Sequence, residues 1–348
     1  MKPLQRVLTA GILLALTGLS CNLNRTIEQE QPAPSTPTQA QAEPSTRTPE
    51  SSPTPTETEI PAQPTRTQEP TAAPPTTTPT QATVQVGPCE GEVCLVPFQF
   101  PFTRPISPPG RDFIDVSYRF GSSDHGKRDP HHGVEFLNSF GTPVFAAADG
   151  EVVAAGDDSK MTLGLYPNMY GNLVALQHEA PGFEQPIFTL YAHLSRVDVQ
   201  VGDRVKAGQN IGQVGSSGAA IGSHLHFEVR YGENTYAASR NPELWLRPLM
   251  DDAGQAMGVL AGRILDGQGQ PMKVANIVVE ALSGGTYYLN TYSESKLVGQ
   301  DPWQESFAIG DLLAGEYQIN FVQGGMQQRT IEVQPGVLTL VTFRIGGQ

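Results

Sequence analysis

Between Gln31 and Pro88 the chain is made almost wholly of Pro, Thr, Ser, Gln, Ala and Glu, and this stretch holds 14 of its 30 prolines. Such a segment carries too little apolar surface to offset the entropy of ordering it. It is predicted to be an extended tether, about 3.1 Å per residue when drawn out as polyproline II, within a linker over 22–88. A plain spacer is the expected role, with O-glycosylation of its Thr and Ser residues as the alternative. Folding is thereby confined to the residues from Cys89 to Gln348, enough for two modest domains.

Upstream of the tether, Lys2 and Arg6 precede an apolar run from Val7 to Leu19 that ends in small residues before Cys21. This pattern reads as a signal peptide over 1–21. The run is too short for a helix to cross a hydrocarbon core of roughly 30 Å, so a retained transmembrane anchor is the weaker reading. Leu19-Ser20-Cys21 resembles a bacterial lipoprotein box, although Gly18 stands where Leu is usual. The expectation is an extracytoplasmic, envelope-located protein lipidated on Cys21 and held to the membrane. In an oxidising compartment Cys89 and Cys94, flanking a short turn, are expected to form a disulfide, the alternative being two free thiols. A formal charge of -13 with no basic stripe excludes a nucleic-acid binder.

The folded part reads as all-β. Short runs rich in Val, Ile, Tyr and Phe recur between Gly, Pro, Asp and Asn: 144–148, 151–155, 173–177, 187–191 and 224–230. Helical periodicity is missing. A composition break at Asp251–Gln255 divides a first domain, 89–250, from a second, 257–348.

All seven histidines lie between residues 125 and 226, a crowding that implies a shared site. In His224-Leu225-His226 the period-two alternation of a strand sends both imidazoles to one face. His131-His132-Gly133-Val134-Glu135 adds a His and a carboxylate four apart, and Tyr191-Ala192-His193-Leu194 adds another His at a strand end. Zinc enzymes commonly combine three N or O ligands with one open position, and these segments can supply that set with histidines left over for acid–base work. His132 is expected to point away from His131. His178 is expected at a strand-end surface, and His125 lies in a loop and is not expected to be a ligand.

At this point the chain resembles the lysostaphin and LytM family of peptidoglycan endopeptidases, across roughly 118–242. The ordered pieces are 131–135, Gly141 through Gly150, Tyr170-Gly171-Asn172, Tyr191 through Leu194, Gly202 through Gly212, and His224 through Glu228. The resemblance implies a LytM-type, β-hairpin-rich sandwich of duplicated hybrid-motif character. It implies one Zn2+ per chain held by His131, Glu135 and His226, with His193 and His224 as the catalytic pair that does not bind metal. The family carries Asp where this chain has Glu135, and the extra methylene requires the carboxylate side chain to fold or its strand to sit further back. Residues four apart on a straight strand lie about 13 Å apart, so the backbone must curl between His131 and Glu135, with Gly133 as the residue able to allow it. The implied reaction is metal-assisted hydrolysis of peptidoglycan peptides. The rival reading is a non-catalytic member of the same fold that activates a separate wall hydrolase. A lipoyl-type carrier is disfavoured because Lys206 lacks the expected context. A phosphocarrier is disfavoured by export.

The C-terminal residues alternate again, with Tyr317, Ile319 and Phe321 on one face and Thr339, Val341, Phe343 and Ile345 in the same rhythm. This region resembles the immunoglobulin-like sandwich of carboxypeptidase regulatory domains. A spacer or docking role is expected, with wall or glycan binding through Trp303 or the tyrosines as the sharper alternative. Whether the segment Leu95–Arg111 covers the cleft stays open.

Overall fold

The computed structural model describes residues 89, 91–96, 100–123, 127–179, 182–292, 297, 299 and 303–346. The expected signal peptide, Cys21, the tether and His125 lie outside the described residues. Among those described, every element is a strand apart from three single turns of 3-10 helix.

Nine strands build the first sheet. They are β2 (Val134–Phe136), β3 (Pro143–Phe145), β4 (Gly150–Asp157), β5 (Asn172–His178), β6 (Ile187–Val197), β7 (Arg204–Val205), β8 (Asn210–Val214), β9 (Leu225–Tyr231) and β10 (Ser239–Arg240). The spine runs β10-β9-β6-β5-β4-β7, with β2 added to β9 and the β3–β8 pair added to β6. Punctuation by Gly and Asn keeps these strands short, as the sequence predicts. The exception is β6, expected to end at Tyr191, which continues to Val197 through a break in register near Leu194.

Eight further strands form two four-stranded sheets. One has the order β1-β17-β11-β14 and the other β13-β12-β15-β16, where β1 is Val93–Val96, β11 Gly258–Leu265, β12 Ile277–Ala281, β13 Thr286–Leu289, β14 Phe307–Leu312, β15 Gly315–Val322, β16 Met326–Val333 and β17 Leu338–Arg344. Residues 93–96, given to the first domain on sequence grounds, pair antiparallel with β17 instead, Val93 opposite Val341. Cys89 and Cys94 are joined as a disulfide beside this edge strand.

The sheet containing β11 and β17 is apolar on both faces. Leu260, Ile264, Val341 and Phe343 fill the core between the two C-terminal sheets. Val259, Ala261, Leu338 and Leu340 belong to the same core as Phe102, Phe227 and Trp245 of the histidine-bearing part. Burial on both sides suits the parallel β11–β17 pairing. Trp303 is 2% exposed and packs in this shared core, so it offers no surface for a glycan. The exposed tyrosine of the C-terminal strands is Tyr288.

The residues before β2 form a strap. Phe102 bridges Leu246, Thr103 N–H donates to the Ala147 carbonyl, and Phe145 N–H donates to the Pro105 carbonyl. His178 lies beneath it, 5.0 Å from the Phe102 ring, and is buried rather than superficial. Its ring nitrogens meet the Asp149 carbonyl and Thr189 Oγ1, and burial lowers its pKa to about 4.

Candidate metal centre

β9 and β2 run side by side with Glu135 directly opposite His226. Alternation along β9 puts Leu225 in the core and His226 on the other face. His224 stands one residue before β9, at an isolated bridge to Gly215. β2 begins only at Val134, and His131 is held outside it by two bonds: Gly121 N–H donates to the His131 carbonyl and His131 N–H to the Ser122 carbonyl, each 2.8 Å. This bend brings the His131 and Glu135 side chains together. Gly133 is not among the residues with positive φ. Its requirement is space, since a Cβ there would lie 2.6 Å from the Phe227 carbonyl oxygen and 2.7 Å from His226 Cε1.

Three donor atoms converge. His131 Nε2 is 2.9 Å and His226 Nδ1 3.0 Å from Glu135 Oε1, and the two nitrogens are 3.2 Å apart. A tetrahedral ion bound at about 2.05 Å spaces its ligands about 3.3 Å apart, so this triangle has the dimensions of one face of such a site. The far nitrogens are also committed. His131 Nδ1–H donates to the Tyr118 carbonyl at 2.9 Å, and His226 Nε2–H to Glu228 Oε1 at 3.0 Å. Each bond turns the opposite nitrogen toward the common point, as outer partners of metal-binding histidines do. Glu135 spans the extra methylene without losing reach. Its Oε2 is buried, makes no hydrogen bond and lies 3.3 Å from His224 Nε2.

Opposite charges in the centre shift one another's titration. Burial disfavours charge on His226, but Glu135 and Glu228 on either side outweigh it and carry the ring up to about 10. Burial likewise raises Glu135, and His226 and His131 more than reverse this, holding the carboxyl well below the usual range. Glu228 is buried too, and Arg230 and His226 pull it far down.

His193 flanks the centre, with its ring 4.8 Å from that of His224 and 5.7 Å from that of His226. It has φ +61 inside β6, a left-handed conformation that costs a non-glycine residue about 1–3 kcal/mol. The surroundings fix it there: its N–H donates to the Tyr170 carbonyl at 2.9 Å and its Nδ1–H to the Ser217 carbonyl at 2.8 Å. The kink falls where β6 breaks register with β5, just ahead of its break with β8 after Leu194, and it re-aims the imidazole at the cleft. Burial first, then the neighbouring His226 and His224 rings, lower its pKa to about 4. The ring is therefore neutral at neutral pH with Nε2 as its accepting nitrogen. His132 points away from the centre, stacked on Tyr236 and bonded to its carbonyl, and burial lowers it to about 4.

Sequence reasoning assigned no role to the support behind His226. Glu228 is fully buried and receives bonds from Tyr170 Oη at 2.5 Å, Arg230 Nε at 2.8 Å and Ser239 Oγ at 3.2 Å. The signal was available, because the alternation of His224 and His226 continues through Glu228 to Arg230 on one face of β9. The centre opens into a cleft of about 520 Å³ rimmed by Asp115, Tyr118, Leu165, Tyr166 and Ile221. None of residues 100–111 lines it.

Residues 129–238 match Peptidase family M23. Over 117 residues the chain is 37% identical to the glycyl-glycine endopeptidase ALE-1 of Staphylococcus capitis, a match covering 34% of this chain and 29% of that one. Over 124 residues it is 37% identical to the peptidoglycan DD-endopeptidase ShyA of Vibrio cholerae, covering 33% of this chain and 26% of that one. The chain thus spans less than a third of the length of these curated relatives. The solved catalytic domain of lysostaphin from Staphylococcus simulans is 37% identical, with 32% of this chain and 76% of that one covered and a TM-score of 0.28. Over residues 129–238 the chain is thus similar to M23 peptidases that include the lysostaphin type.

Proposed function

We propose that the protein is a zinc-dependent endopeptidase that hydrolyses peptide cross-links of bacterial peptidoglycan. The observation that carries this reading is the convergence of His131 Nε2, Glu135 Oε1 and His226 Nδ1 within 3.2 Å of one another, at the floor of an open cleft. Two imidazoles and a carboxylate are a donor set that zinc takes in catalytic sites. When bound, zinc supplies a Lewis acid for the scissile carbonyl and raises the acidity of water. His193 accepts the attacking water's proton on Nε2, its other nitrogen being fixed by Ser217. His224, within ring contact of His193 and beside Glu135, completes a pair that stabilises the developing oxyanion and returns the proton to the leaving nitrogen. Glu228, Arg230 and Tyr170 hold the His226 ring in register.

The names of the relatives and the N-terminal pattern support a place in the cell envelope, with the chain lipidated on Cys21 and the catalytic part carried on the Pro-rich tether. The C-terminal strands are read as an immunoglobulin-like sandwich of the carboxypeptidase regulatory kind. Cys21→Ala should release the protein from the membrane fraction, and unchanged fractionation would remove the anchor from this account. The activity is tested by incubating the purified protein, with and without a chelator, with isolated peptidoglycan. Chelator-sensitive release of peptide ends is expected. Binding without release would assign the chain to the non-catalytic class.

A further inference from the structure

We propose that the C-terminal strands are a working part of the metal centre, and that Arg119, Glu243 and Tyr292 are positioning residues that set metal affinity through His131. This rests on the metal-site reading above and extends it to a part of the chain that lies outside the M23 match.

The path starts at His131. Every backbone bond that holds it outside β2 comes from the segment 118–122, and so does the carbonyl that fixes its tautomer. The Tyr118 ring stacks on the His131 ring at 4.1 Å. Asp115 N–H, three residues ahead of that segment, donates to the Glu135 carbonyl at 2.8 Å. Two of the three ligands are thus bound to one stretch of chain that belongs to no strand and has no ladder of its own. Its geometry must be imposed from elsewhere.

That support comes from the C-terminal part at two points. Arg119 pairs with Glu243, whose side chain is 1% exposed, and Glu243 Oε2 also accepts from the Gly310 N–H of β14 at 2.7 Å. Phe120 meets the Tyr292 ring edge-on at 5.2 Å, in a cluster with Leu297. Tyr292 Oη donates to Glu305 Oε1 at 3.1 Å and accepts from Asn241 Nδ2 at 3.2 Å, and Asn241 Oδ1 in turn caps the turn that carries Glu243. Gly121, directly after these two anchors in the chain, has φ +78, and a Cβ there would lie 3.0 Å from Tyr292 Cδ1. A buried charge pair with a shared backbone donor has a single favourable arrangement. Fixing Arg119 and Phe120 therefore fixes the carbonyls of Tyr118 and Ser122 that hold His131.

The test uses the full chain. Arg119→Ala and Glu243→Gln break the first anchor. Tyr292→Phe removes one hydroxyl and keeps the ring against Phe120, so it carries the test if the others fail to fold. Ile319→Val, in the core between the C-terminal sheets, is the control for loss of stability alone. The zinc dissociation constant is measured by chelator competition, and amide exchange is followed in the zinc-free protein. Zinc binding should weaken on the order of 10- to 100-fold in Arg119→Ala, as for other outer partners of ligands, and Arg119→Lys should recover most of it. Exchange at Gly121 and His131 should accelerate relative to β5, while Ile319→Val changes neither. Folded Arg119→Ala and Tyr292→Phe with parental zinc affinity and parental exchange at Gly121 and His131 would overturn the proposal. If the parent takes up no zinc, the metal-site reading fails, and the exchange data on the zinc-free chain still decide whether this coupling exists.

Discussion

Replacing Gly133 by Ala adds one methyl group where the structure has no room for it. The new Cβ would lie 2.6 Å from the Phe227 carbonyl oxygen, 2.7 Å from His226 Cε1 and 2.8 Å from His226 Nε2. Ordinary contact begins near 3.4 Å, so the gap must open by about 0.8 Å, well beyond the ±0.2 Å within which metal–ligand distances are held. Neither neighbour yields freely. The Phe227 carbonyl belongs to β9, paired with β2 between the buried Val134 and Phe136, and His226 Nε2 is bonded to Glu228. Either β2 lifts from β9, carrying Glu135, or the His226 ring turns away from its bond. Both separate the donor atoms. Overpacking of this kind costs about 1–3 kcal/mol, or about 2–4 °C in melting temperature per kcal/mol for a domain of this size. Zinc affinity should fall on the order of 10- to 100-fold. The assay pairs thermal unfolding of the zinc-free protein with chelator competition. Because Gly133 has an ordinary φ, backbone strain does not confuse the outcome. Parental melting and parental zinc affinity in Gly133→Ala would refute the reasoning.

Three further outcomes follow from the same geometry. Glu228→Gln weakens the acceptor that orients His226 and strips the buried Arg230 of its counter-charge; stability should drop by about 3–5 kcal/mol and zinc affinity with it, measured by denaturant titration and metal competition. Glu135→Asp draws the carboxylate back by about 1.5 Å while β2 stays fixed by its buried neighbours, so the chain should fold and bind zinc at least several-fold more weakly, and Glu135→Gln should bind far more weakly still. Zinc and a proton compete for His226, whose pKa without metal is raised to about 10. Below that value binding expels the proton, so affinity should fall about tenfold per unit of acidification from roughly pH 9 to pH 6. Calorimetry in buffers of different ionisation heat should register the released proton, and a flat affinity over that range would contradict it.

Much of the centre was legible because it rests on local rules. Period-two alternation places His224 and His226 on one side of β9, and the ordered motifs bring in His131, Glu135 and His193. What was not legible is long-range. No local pattern announces that Val93 pairs with Val341, or that the strap through Phe102 buries His178. The left-handed His193 breaks the rule that such φ values favour glycine, so its sequence looks like any strand end. Gly133 illustrates a right position with a different cause: sequence suggests a residue that lets the backbone curl, and the structure requires the absence of a side chain beside His226. In β17 the signal was present and unread. Leu338, Leu340, Val341 and Phe343 are apolar on both alternating faces, which calls for a partner on each side, and the second partner is the histidine-bearing part itself.

The proposed division of labour among five residues is tested most directly by the zinc content of two variants purified in parallel. On the proposed assignment, His226→Ala removes a ligand, while His193→Ala removes a proton acceptor worth about 10²- to 10⁴-fold in rate. Metal analysis should find parental zinc in His193→Ala and almost none in His226→Ala, although neither releases peptides from peptidoglycan at the parental rate. Zinc retained by His226→Ala, or lost equally from His193→Ala, would contradict the assignment.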